Sequence, residues 1–143
     1  MALIPTAPNF DQLSPAEWDA LKLMVLGFPH NPTATTGEQA WVDDAAARAV
    51  RHGLVLAHDN PYVDLALEGE APSLLRSPHW RQCGIEFFSF SKGWCLGGFR
   101  MAFAIGAAPL IQALRQLKGP CWRWSPTYWC RCCSPSSRQR WRC

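Results

Sequence analysis

Long apolar runs are missing from this sequence. No stretch reaches the ~20 apolar residues that a membrane-spanning helix needs, and the opening Met-Ala-Leu-Ile-Pro lacks the basic residues that begin a signal peptide. The expectation is a soluble, cytoplasmic protein with no membrane partner. Lysine is scarce as well: Lys22, Lys92 and Lys118 are the full set, so Lys92 stands alone rather than in a solvated charge run. The spacing of a P-loop is absent, and Gly93, Gly97 and Gly98 do not form the dinucleotide-binding pattern. No internal repeat is visible.

From residue 120 onward the absences become compositional. Residues 120–143 contain no acid, no histidine and no Ala, Val, Leu, Ile or Met. They hold instead five arginines, five of the seven cysteines and four of the eight tryptophans, for a net charge of +5. Residues 1–119 carry nine cations against all eleven acids, a net charge of −2, so the overall +3 describes neither part. Leucine, valine and alanine codons of the CTG, GTG and GCG type, read one base late, become TGN and CGN codons, which encode mainly cysteine, tryptophan and arginine. The preferred reading of 120–143 is therefore an out-of-frame, disordered tail. Two alternatives stand beside it. Cys130 and Cys133 have CxxC spacing, with Cys121 and Cys143 on either side, which is material for a zinc site; but no second CxxC accompanies them. Interleaved arginine and tryptophan could bind RNA through phosphate contacts and stacking. A disulfide framework does not suit a cytosolic chain.

With 143 residues, 48% of them apolar, the chain has the length and composition of one globular domain. Ser14-Pro15-Ala16-Glu17 has capping-box spacing with proline at the first helical position, predicting a short helix. Leu23–Leu26 is wholly apolar and suits a strand buried on both faces. The prolines of Gly27-Phe28-Pro29-His30-Asn31-Pro32-Thr33 exclude regular structure. Thr36 with Gln39 predicts a second capping box and a helix over 37–52, with Trp41, Ala45, Ala49 and Val50 inward and Gly53 ending it in the left-handed conformation. Leu54–Ala57 is the next strand, completing a βαβ unit and hence a parallel sheet covered by helices. Strands Ile85–Phe90 and Met101–Ile105 and an amphipathic helix over 108–117 follow. The fold class is α/β, an incomplete and mostly parallel sheet with covering helices. The expected division is residues 1–119 as the central part of a large domain and 120–143 as the tail.

Ligands of such sheets bind beyond the carboxyl ends of the strands, and Asn31, Asp59, Tyr62 and Lys92 all fall there. A lone lysine at that place is either an anion-binding charge or a nucleophilic amine. Pyridoxal 5'-phosphate would give every candidate a partner. Its aldehyde suits the Lys92 amine, and its phosphate suits Arg100, Ser89 and Ser91. Its ring nitrogen suits the Asp59 carboxylate, and its phenolic oxygen suits Asn31 and Tyr62. Singly, each residue has a plainer reading. Asp59 could be a turn residue and Lys92 a surface lysine; His30 and His58 read as packed or solvated, Trp18 and Trp41 as packing, and Cys83 and Cys95 as inert small hydrophobes.

The order His30-Asn31-Pro32-Thr33, then Asp59-Asn60-Pro61-Tyr62, then Ser89-Phe90-Ser91-Lys92 with Gly98-Phe99-Arg100, resembles the class I/II aminotransferase family (fold type I) over about residues 9–119. The resemblance implies Asn31 and Tyr62 at the phenolic oxygen, Asp59 at the ring nitrogen, and Ser89, Ser91 and Arg100 at the phosphate. It implies that Lys92 is both the Schiff-base lysine and the proton carrier of a transamination between an amino acid and a 2-oxo acid. A lyase or acyl-transferring synthase of the same fold is the nearest alternative, and a non-enzymatic module with a metal- or RNA-binding tail is the other. Two residues depart from the pattern: Ala34 stands where glycine is usual, and Pro61 where a small residue is common. The glycine-containing phosphate loop, the ring-stacking aromatic and the small domain whose arginine holds the substrate carboxylate have no counterpart here. The expectation is thus a piece of an enzyme that is a homodimer when complete, inactive as an isolated chain.

Overall fold

The computed structural model describes residues 7–121, with side chains to Leu117. Helix α1 (Pro15–Ala20) opens on the predicted capping box: the Ser14 hydroxyl accepts from Glu17 N–H, and the Glu17 carboxylate accepts from Ser14 N–H at 2.8 Å. Strand β1 (Leu23–Leu26), helix α2 (Gln39–His52) and strand β2 (Val55–Asp59) form the βαβ unit, and Gly53 ends α2 at φ 65°, ψ 34°. Short helix α3 (Trp80–Cys83), strand β3 (Gly84–Ser89), one-turn helix α4 (Phe90–Gly93), strand β4 (Ala102–Gly106) and helix α5 (Ala108–Cys121) complete the order. The sheet runs β1-β2-β3-β4, with β1, β2 and β3 parallel and β4 antiparallel to β3.

Strand alternation sends side chains to two cores. On one face Leu54 and Leu56 pack with Val42, Ala45, Ala46 and Ala49 of α2 and with Trp18, Leu74 and Trp80. On the other, Ile85, Ala104 and Ile111 gather Val55, Ala57, Phe87, Leu110 and Leu114 beneath α5.

Local expectations for α2 and β1 are corrected. Helix α2 starts at Gln39 with Glu38 as N-cap and no side-chain cap bond; the Gln39 side chain exchanges hydrogen bonds with the backbone of Ser73 instead, at 2.9 and 3.0 Å. Its fully buried positions include Val42 and Ala46, whereas Trp41 and Val50 are half-buried, Trp41 against Phe28. Strand β1 is not buried on both faces: Leu23 and Val25 are 53% and 62% exposed, because α5 packs over β3 and β4. Helix α5 runs to Cys121, beyond the expected 108–117. The rest of the tail, with its CxxC, lies outside the described residues.

Candidate active site

Each parallel strand delivers its candidates from its carboxyl end. Asp59 is the last residue of β2, paired with Phe87 of β3, and its side chain is exposed. Asn60 N–H donates to the Phe87 carbonyl at 2.9 Å, carrying the strand pairing one residue further. Tyr62 follows in the turn before the 3-10 segment Val63–Leu65. Ser89 ends β3 and caps α4, its hydroxyl oxygen accepting from Ser91 N–H at 3.1 Å. Lys92 lies in the single turn of α4 and is exposed, with its amine 5.9 Å from the centre of the Tyr62 ring. That is within cation–π range. Arg100 ends the 3-10 turn Gly97–Phe99, and its guanidinium donates to the Gly97 carbonyl at 3.3 Å.

Asn31 and Tyr62 line one open cavity of about 490 Å³, walled further by His30, Leu65, Leu67 and Glu68. Asp59, Ser89, Ser91, Lys92 and Arg100 are not in its lining. The structure thus joins Asn31 to Tyr62, Tyr62 to Lys92 and Ser89 to Ser91, on adjoining strand ends. The loops between these points are backbone-strained: Ala34, Cys95 and Arg100 have φ of 58°, 54° and 53°. Left-handed backbone disfavours a side chain, which explains why glycine suits the position of Ala34.

Beneath the strand ends is a group that the sequence reading did not single out. Glu86 of β3 is fully buried and accepts four hydrogen bonds. Its Oε1 takes the Asn60 amide at 2.6 Å and faces His58 Nδ1 at 3.1 Å. Its Oε2 takes the Ser73 hydroxyl at 2.8 Å and Leu75 N–H at 3.1 Å. Burial pushes the Glu86 carboxyl up, but bonds from His58, Asn60 and Ser73 and the attraction of His58 outweigh it, so its pKa lies below the ordinary value. An ionised carboxylate only accepts, so His58 Nδ1 must be the donor. His58 is indeed packed, at 0% exposure. Cys83 is buried, as expected, whereas Cys95 is exposed in the strained loop and is not a packed hydrophobe.

The model of class I and II aminotransferases matches residues 7–134. The chain belongs to the class I and II aminotransferase family. Transaminase BacF of Bacillus subtilis (strain 168) is 36% identical over 111 residues, which are 78% of this chain and 28% of that one. The glutamate-pyruvate aminotransferase AlaC of Escherichia coli (strain K12) is 38% identical over 98 residues, 68% of this chain and 24% of that one. The structure of an aminotransferase from Staphylococcus aureus superposes with a TM-score of 0.78 at 31% identity, covering 84% of this chain and 32% of that one. The family match continues past the composition break at Gly119-Pro120. The chain spans about a quarter of the length of the curated relatives it matches, 28% of BacF.

Proposed function

We propose that this chain is the cofactor-holding part of a pyridoxal 5'-phosphate-dependent aminotransferase that moves an amino group between an amino acid and a 2-oxo acid. The observation that carries this reading is the Lys92 amine standing 5.9 Å from the Tyr62 ring, with Tyr62 and Asn31 on one cavity at the carboxyl end of a parallel sheet. The donor set fits the cofactor: an amide, a carboxylate and a phenol follow the ends of β1 and β2, Ser89 ends β3, Ser91 and the Lys92 amine lie on α4, and Arg100 follows the next turn. When bound, the cofactor supplies an electron sink at the carbon bearing the amino group.

This chain's residues supply the rest. Lys92 Nζ would be the point of attachment for the cofactor's aldehyde, condensing with loss of water, and once displaced by the substrate's amino group would be the free amine that carries the proton. Asp59 holds the proton on the ring nitrogen. Asn31 and Tyr62 donate to the phenolic oxygen. The Ser89 and Ser91 hydroxyls and the Arg100 guanidinium bind the phosphate. On this reading the complete enzyme is a cytoplasmic homodimer acting on a small amino acid. The name of AlaC pairs an amino acid, glutamate, with a 2-oxo acid, pyruvate, which supports the reaction type. The isolated chain binds cofactor without transaminating, because positioning the substrate needs groups outside these strands.

Incubating the 143-residue chain with pyridoxal 5'-phosphate should give a visible absorbance that borohydride abolishes, with the reduced label mapped to Lys92. The Lys92→Ala variant should lose both absorbance and label. A folded chain that is unlabelled, or labelled at another amine, overturns the reading.

A further inference from the structure

We infer that Glu86 is a positioning residue for Asp59: it locks the ring-nitrogen carboxylate in place by gripping the residues on both sides of it. The inference rests on the cofactor reading above. Alternation along β2 turns Asp59 to one side and His58 and Asn60 to the other. Both of those side chains are fully buried, and both end on the same carboxylate oxygen, Glu86 Oε1, at 3.1 and 2.6 Å. The backbone beside them is tied to β3 by Asn60 N–H on the Phe87 carbonyl at 2.9 Å. Asp59 is therefore clamped behind its own Cα while its exposed carboxylate needs no contact of its own.

The same clamp reaches the other parts of the site. Glu86 Oε2 holds Ser73 and Leu75, and the Asn60 amide also donates to the Pro72 carbonyl at 3.1 Å. The segment leaving Tyr62 is thereby fastened to the strand that leads into Ser89 and Lys92. A carboxylate has about four acceptor positions, and four donors occupy them, so no donor is left over for a ligand. Glu86 acts through its neighbours, never on the cofactor.

A purely structural role would lower stability without regard to Asp59, and a double-mutant cycle separates the two. Affinity for pyridoxal 5'-phosphate is measured by absorbance titration in four chains: wild type, Glu86→Gln, Asp59→Asn and the double variant. Glu86→Gln keeps the shape but meets donors with an amide. It should weaken binding about tenfold, the lower end of what losing the outer partner of a metal-ligating residue costs, and should add nothing in the Asp59→Asn chain. An equal loss in both backgrounds, or none in either, overturns the inference. Where Glu86→Gln does not fold, Asn60→Ser removes one of the two grips and is carried through the same cycle. Amide exchange of Asn60 in the chain without cofactor gives an independent reading. Glu86→Gln should speed exchange there more than an Ile111→Val core variant does, and equal rates overturn the inference. If wild type takes up no cofactor, the cofactor reading fails, while the exchange comparison still decides whether Glu86 clamps this strand end.

Discussion

Glu86 is a charge with no exposure, a state that would cost several kcal/mol without compensation. It is tolerated because every acceptor position is filled by a donor from another segment. Its lowered pKa fixes the sign of its pH dependence. A carboxyl depressed on folding binds its proton less readily in the native chain than in the unfolded one. Its stabilisation is therefore complete above the unfolded value, near 4.5, and is lost as pH falls through the depressed folded value. Thermal midpoints followed by circular dichroism should be flat near neutrality and drop on the acid side, and Glu86→Gln should flatten that drop while lowering the neutral midpoint. Glu17 shifts in the same direction through its bonds to Ser14, but it is exposed and remains in both chains, so the difference between them isolates Glu86. A difference that stays constant across pH would show that Glu86 is not the group responsible. The hub was not legible in the sequence because its partners lie 11 to 28 residues away. The available signal was a single acid inside a strand otherwise made of Gly, Ile, Phe and Ser.

At the scale of elements, what could be read in sequence was what is decided locally. The Ser14–Glu17 capping box and the Gly53 terminator depend on residues within one turn, and both formed. Thr36 with Gln39 has the same spacing, yet Gln39 is recruited by the Ser73 backbone far along the chain, and the cap is lost to a tertiary contact. The exposed side of β1 was illegible for a like reason: an apolar run does not say whether a helix from elsewhere will cover it. The two kinds of constraint predict different costs at two glycines. A Cβ on Gly53 would meet nothing within 4 Å, so Gly53→Ala should cost only the left-handed penalty, about 1 kcal/mol. A Cβ on Gly106 would stand 2.7 Å from the Gly84 carbonyl oxygen and 2.8 Å from the Ile85 Cα. Those are backbone atoms of β3, which cannot move without opening the β3–β4 ladder. Gly106→Ala should therefore lower the thermal midpoint by clearly more than Gly53→Ala, and the reverse order would contradict this account of β4.

Across the described residues the sheet is finished in the middle and open at its sides. Among the described residues β1 pairs with β2 alone and β4 with β3 alone. β1 combines a row of unpaired backbone groups on its outer edge with apolar side chains, Leu23 and Val25, on its bare face. Such a strand is a template for another chain. The matched relatives are three to four times longer than the segment they share with this chain, and among the described residues no strand pairs with the outer edge of β1. Dilute samples should be monomeric, and association should grow with concentration in sedimentation velocity. Val25→Lys places a charge on that strand at a position 62% exposed, where it disturbs no core contact, so the circular dichroism spectrum should be unchanged. Removing one valine's worth of contact, about 1.5 kcal/mol, should raise the concentration at which association begins by roughly tenfold. If Val25→Lys associates like wild type while a charge introduced on β4, such as Phe103→Lys, suppresses association, the adhesive edge is β4 and not β1.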